Sequence, residues 1–355
     1  MKKLLSVICI VFLLCGCGGN GGTTEGGEGK AFCSVLNVYN TGEYINEDVL
    51  KQFEEDYDVR VNYSLFASNE EMFTKLMGGT VYDLIVPSDY MIEKLIEEGM
   101  LQKIDTSKVT NFSSIADSVL HKDFDMNNEY SVPYFWGNVG IVYDKTLIDQ
   151  TDVESQGWEV MKNEKYKGMI YMYDSERDSF MIALKALGYS MNTTDEKELE
   201  DAYNWLIDLD NKMDPAYVTD EAIDGLAYGE KAMGVMYSGD AAYILSENEN
   251  MAFFAPEEGT NVWVDAFVMH KDSTCQDLAY DFINYFLEYE NAYENSSYIG
   301  YAAVREDVLN DLAADEFEGN AAYVPRTGNQ KDEVFHNNDT ARKIISEYWV
   351  KVKNN

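Results

Sequence analysis

Histidine is nearly missing from this 355-residue chain, which has only His121, His270 and His336, far apart in sequence. Their scatter excludes a helical pair of zinc ligands, and neither a nucleophile elbow nor a glycine-rich phosphate loop accompanies them, so no familiar catalytic motif is present. All three read as surface or loop residues. Basic residues are scarce too: 27 Lys and Arg face 64 Asp and Glu, for a net charge of −37. Such a surface repels nucleic acid and anionic lipid and draws in cations. For most of the 64 acids, solubility alone is a sufficient explanation.

Long apolar runs are also lacking, since crossing a bilayer needs about 20 consecutive apolar residues and the only candidate covers residues 4–14. That run follows Lys2 and Lys3 and ends in Leu14-Cys15-Gly16-Cys17, a small residue directly before a cysteine. The arrangement reads as a bacterial lipoprotein signal over residues 1–16, with Cys17 as the lipidated new N-terminus. An ordinary cleaved signal followed by a stray cysteine is the plainer alternative. Processing removes two of the 27 basic residues and no acid, leaving 25 against 64 and a charge of −39. Residues 17–30 are rich in glycine with Asn, Thr and Glu, too poor in apolar groups to fold and suited to a tether. The expected location is outside the cell membrane, held there by lipid.

Cysteine is sparse in the remaining body, where only Cys33 and Cys275 occur. No disulfide framework can carry the fold, and the sequence leaves open a single bridge or two part-buried thiols. The 46% hydrophobic content is ordinary for a folded protein. About 325 residues exceed what one core usually serves, so two lobes are expected.

From residue 34 onward, strand-like and helix-like runs alternate. Residues 35–39 and 59–65 read as strands around a helix capped by Asn46, with Val49, Leu50, Phe53 and Tyr57 on one face. Ser68 and Glu71 form a capping-box signature, Leu84-Ile85-Val86 is a short buried strand, and the helix over 89–98 closes at Gly99. Two strands follow at 130–133 and 139–143, with a crossing between lobes at 136–138. A second series has strands at 169–173, 233–237 and 262–269, a helix over 180–187, and a helix capped by Thr193 and Glu196. The end of the chain is mostly helical. The expected class is α/β with two lobes, each a mixed sheet flanked by helices, and a ligand cleft between them.

Ligands of open α/β sheets bind just beyond strand ends. There the chain places Glu43-Tyr44, Pro87-Ser88-Asp89-Tyr90, Asp174-Ser175-Glu176-Arg177-Asp178 and Tyr237-Ser238-Gly239-Asp240, with Trp263 and Asp265 on one face of another strand. Carboxylates and ring faces recur, while Arg177 is almost the only cation. A phosphate or other anion would need the opposite chemistry. Carboxylates pair with alkylammonium heads while rings pack the methylene stem, adding about 0.5–2 kcal/mol of cation–π attraction per contact. Asp89 and Asp240 each have a plainer explanation as helix caps.

The chain resembles the spermidine/putrescine-binding proteins of polyamine ABC transporters along nearly the whole of its body. The likeness rests on Tyr39-Asn40-Thr41-Gly42-Glu43-Tyr44, Tyr82-Asp83-Leu84-Ile85-Val86-Pro87-Ser88-Asp89-Tyr90, Tyr130-Ser131-Val132-Pro133-Tyr134-Phe135-Trp136-Gly137, Leu187-Gly188-Tyr189-Ser190-Met191-Asn192-Thr193-Thr194-Asp195 and Ile299-Gly300-Tyr301. The resemblance implies a type II periplasmic-binding-protein-like fold and capture of putrescine or spermidine for an ABC permease. It implies acidic contacts at Glu43, Asp178 and Asp265, ring contacts at Tyr44, Tyr90, Trp263 and Tyr301, and small polar contacts at Ser88 and Thr219. Asp240 matches an acid of putrescine-type members. Thr41 and Tyr237 stand where the family usually has tryptophan, Ser175 where some spermidine binders have a second acid, and the family's C-terminal glutamine has no aligned equivalent around Phe335.

The expectation is a monomeric binding protein without catalysis, cofactor or metal. Residues 31–136 with about 264–312 would form one lobe, and about 137–263 with 313–355 the other. Two alternatives keep other chemistry in view: a ferric-iron carrier using Tyr298 and Tyr301, and a glycoside hydrolase using Glu43 and Asp265.

Overall fold

Asn46 and Ser68 open their helices as their sequence contexts predict. The computed structural model describes Cys33–Asn355; the expected signal, Cys17 and the tether lie outside the described residues. The Asn46 side chain accepts from Asp48 N–H ahead of the helix Glu47–Tyr57, and Ser68 Oγ accepts from Glu71 N–H at 3.1 Å ahead of Asn69–Met77. Glu71 reaches back to the Ala67 N–H at 2.9 Å, closing a box around the first turn.

Ten strands follow in chain order: β1 Val35–Thr41, β2 Arg60–Phe66, β3 Leu84–Ile85, β4 Ser131–Asp144, β5 Ile170–Tyr173, β6 Ala216–Val218, β7 Met233–Tyr237, β8 Met251–Phe254, β9 Val262–Met269 and β10 Ala302–Ala303. They connect in the order β2-β1-β3-β9-β4-β7-β5-β6, with β8 and β10 also on β4. Pairs at both ends are parallel, whereas β9 and β4 run antiparallel to their neighbours.

β4 corrects the expectation of two separate strands. It is one 14-residue strand, buried along nearly its whole length. Its first half pairs with β9 and β10 and its second with β7 and β8, with a register shift between Pro133 and Phe135. Pro133 has no N–H to give the ladder, and the irregularity lets the strand pass it without ending.

Two apolar cores flank this strand. One gathers Leu36, Phe53, Ile92, Phe267 and Phe282, and also takes Leu226 and Ala242. The other gathers Ile141, Trp158, Phe180, Leu206 and Met233, with Phe335 from the C-terminal segment. Two helix starts also differ from expectation. The helix Glu176–Ala186 begins four residues earlier because Ser175 caps it, and Glu196–Met213 is capped by Asp195, whose carboxylate accepts from Lys197 and Glu198, rather than by Thr193. Cys33 and Cys275 form a disulfide of 2.02 Å, joining the chain before β1 to the start of the helix Gln276–Phe286.

Candidate ligand-binding site

Three acids at the strand ends, Asp178, Asp240 and Asp265, are each held by a phenol. Tyr44, in the turn after β1, donates its hydroxyl to Asp265 Oδ2 in β9 at 2.7 Å. Tyr237, at the end of β7, donates to Asp178 Oδ2 at 3.1 Å, and Ser175 donates to the same oxygen at 2.6 Å. Tyr301 donates to Asp240 Oδ1 at 2.8 Å. Asp178 and Asp240 are each the third residue of a helix, Glu176–Ala186 and Ser238–Glu247, so neither is an N-cap.

Ring contacts join these pairs. Trp263 meets Tyr301 edge-on at 5.3 Å and Tyr237 at 6.2 Å, and Tyr301 meets Tyr44 at 5.6 Å. Two glycines make the approach possible. A Cβ on Gly137 would meet Ser238 Oγ and the Trp263 ring at 2.5 Å, and one on Gly239 would fall inside the Tyr301 ring's contact distance. The sequence thus brings Tyr44, Asp178, Tyr237, Asp240, Trp263, Asp265 and Tyr301 into one cluster. Ser88 joins it through its backbone bridge to Asp265.

Tyr90 borders the cluster with its ring under the Arg177 guanidinium, 3.7 Å from carbon to centroid. Arg177 also lies 3.5 Å from Glu70, so this cation is already engaged. Glu43 and Thr219 stand apart. Glu43 is exposed at a left-handed turn position, φ 51°, and Thr219 is exposed with its hydroxyl donating to Glu221.

Burial raises the pKa of every acid in the cluster because it penalises the charged form. Asp265 is raised by burial, against the pull of the Tyr44 and Ser88 hydroxyls. Asp178 is raised by burial, against Ser175, Tyr237 and Arg177. Asp240 is pushed up by burial to about 6, against the Tyr301 bond. Asp89, which sequence reasoning passed over as a cap, is 1% exposed and pushed to about 8 by burial, against the Tyr90 N–H and with Asp265 adding repulsion. Its position in Pro87-Ser88-Asp89-Tyr90, beside two expected contacts, was the available signal.

The other oxygens of two acids are decisive. Asp178 Oδ1 and Asp265 Oδ1 are buried and accept no hydrogen bond from the described residues, and Trp263 Nε1 is buried without an acceptor. A buried acceptor left unmatched costs about 1–3 kcal/mol, more when charged. Two such oxygens in a frame of rings, with the nearest cation spent elsewhere, suit a cationic guest.

A family model of bacterial extracellular solute-binding proteins matches residues 48–324. The chain belongs to that family. Among curated relatives, the spermidine/putrescine-binding periplasmic protein of Escherichia coli is 34% identical over 329 residues, covering 90% of this chain and 92% of the relative. The putrescine/cadaverine-binding protein of Pseudomonas aeruginosa is 31% identical over 99% of both. Among solved structures, the spermidine/putrescine transporter substrate-binding protein PotD of Streptococcus pneumoniae superposes with a TM-score of 0.79 at 35% identity, covering 90% of this chain and 99% of that one. The resemblance read from the motifs therefore holds. So does the fold class: this solute-binding protein has the two-lobe α/β architecture of the periplasmic-binding-protein type.

The alternatives find less support. Tyr298 is 67% exposed while Tyr301 is bonded to Asp240, so the two phenols do not present themselves together as iron ligands. Glu43 is exposed whereas Asp265 is buried and bonded to Tyr44, so the two do not form a matched pair of carboxyls. No described helix is long and apolar enough to cross a membrane.

Proposed function

We propose that this solute-binding protein captures a linear polyamine, putrescine or spermidine, between its lobes and delivers it unchanged to an ABC permease. The observation that carries the reading is the pair of buried carboxylate oxygens, Asp178 Oδ1 and Asp265 Oδ1, left without donors inside a frame of Tyr44, Tyr237, Trp263 and Tyr301. Ammonium heads supply the missing donors, and the rings take the methylene stem. Asp240 adds a third acid, and Tyr90 and Ser88 border the site.

The lobes would comprise residues 31–136 with about 264–312, and about 137–263 with 313–355. Closure spends part of the binding energy on bringing them together. The protein would act as a monomer, exported by residues 1–16 and tethered through lipid on Cys17, which keeps the loaded form close to the permease. The names of the relatives given above, which are polyamine-binding proteins, support the capture of a polyamine.

A thermal-shift panel of putrescine, cadaverine, spermidine, spermine, sugars, amino acids and ferric iron tests it. A ligand at 100 times its dissociation constant adds about 2.7 kcal/mol to stability. Polyamines alone should raise the melting temperature. A response confined to sugars or iron refutes the reading.

A further inference from the structure

Away from the acid–ring cluster, the helix Asp89–Glu97 is tied to the segment just before the C-terminal helix Asp339–Val352. The two sides belong to different cores. Met91, Ile92 and Leu95 anchor the helix in the first, while Phe335 lies in the second. Asn192 pins the segment further, accepting from His336 N–H at 2.9 Å and donating to Val334 C=O at 2.8 Å. Buried Lys185 holds Glu333 at 2.7 Å.

Between these anchored sides, Glu93 makes the central contact. Its Oε2 accepts from Asn337 N–H at 2.6 Å, and its carboxylate lies 3.2 Å from His336 Nδ1. Asn337 Nδ2 donates to Glu97 at 2.8 Å, and Lys94 pairs with Asp339 at 3.2 Å. Burial alone would raise the Glu93 carboxyl, but His336 and the Asn337 N–H bring it below its ordinary value, and the same bond raises His336. The segment itself lines a cavity of ≈ 40 Å³, with Phe335 and His336 facing Arg177 and Arg342 among its walls.

We propose that Glu93 is the catch of a closure latch: it joins the two lobes through His336 and Asn337 and sets the lifetime of the closed, loaded form without touching the ligand. The proposal rests on the polyamine-capture reading for its kinetic consequence. A group that binds only in the closed state shifts the open–closed equilibrium by its full differential contribution. Losing it speeds release and leaves the open form's encounter with ligand unaltered.

The test compares the wild-type protein with Glu93→Ala and His336→Gln by stopped-flow binding of putrescine and spermidine, with ligand-free melting temperature and small-angle scattering alongside. Losing the contacts of part-exposed Glu93 to His336 and to the Asn337 N–H should raise the release rate about 5- to 20-fold while the association rate stays within about twofold. The ligand-free radius of gyration should increase. Unchanged release rates in folded Glu93→Ala overturn the latch; should that variant unfold, His336→Gln decides by the same criterion. If the wild type binds neither polyamine, the capture reading has failed, and scattering judges the latch alone: a larger radius in the variant supports it and an equal one overturns it.

Discussion

Replacing Asp265 with asparagine separates binding from stability more sharply than any other single change. The Asp265 carboxylate is held at Oδ2 by the Tyr44 hydroxyl, with Ser88 beside it, and its Oδ1 is buried without a donor among the described residues. Asparagine keeps an acceptor for Tyr44 and removes the charge. A hydrogen bond to a charged group contributes about 1.5–3 kcal/mol, so affinity for putrescine should fall about 10- to 150-fold. The free protein loses only a buried charge already disfavoured by burial. Its melting temperature should therefore hold within about 3 °C or rise, 1 kcal/mol corresponding to some 2–4 °C for large domains. Calorimetry and thermal unfolding measure the two quantities on one sample. Equal affinities would remove Asp265 from the cation site, and a large drop in melting temperature would make its role structural.

Acidification should weaken binding early. With Asp240 near pH 6, polyamine affinity should drop about tenfold between pH 7 and 5 from this group alone; constant affinity over that range would contradict pairing with ammonium. The free protein should show the opposite trend, because the raised Asp240 pKa stabilises it fully below about 3.8 and this stabilisation is lost as pH rises through about 6. Chemical denaturation of ligand-free protein across pH 4–7 would show it. Gly239→Ala should lower both polyamine affinity and stability, the latter by about 1–3 kcal/mol, since the new methyl displaces the Tyr301 ring from Asp240; calorimetry and urea unfolding check both. Reducing the Cys33–Cys275 bridge, which spans 242 residues, should cost about 2–5 kcal/mol of stability with little effect on affinity. A reduced protein as stable as the oxidised one would contradict that.

Local signals were the most legible part of the sequence. Asn46 and the Ser68–Glu71 box act within one helical turn, so residue type and spacing suffice to find them. The continuity of β4 was not legible, because Trp136-Gly137-Asn138 looks like a break until partners on both sides of the strand are known. Asp195 won the cap from Thr193 for a similar reason: both hydroxyl and carboxylate suit the position, and the helix begins where the carboxylate reaches two amides. The site shows the same division. Acids and rings at strand ends could be read as a class, and the family motifs assigned residues to it. Tertiary burial alone distinguishes Asp89, sealed against Asp265, from exposed Glu43 and Thr219. The pairing of Asp178, Asp240 and Asp265 with phenols joins residues 59 to 221 positions apart, beyond any local pattern.

The most direct measurement is a calorimetric titration of the protein at pH 7.5 with putrescine and with butane-1,4-diol, which matches its length and lacks its charge. The account predicts micromolar or tighter binding of putrescine, about −8 kcal/mol or better, and no measurable heat from the diol. Comparable affinity for the two, or none for putrescine, would contradict it.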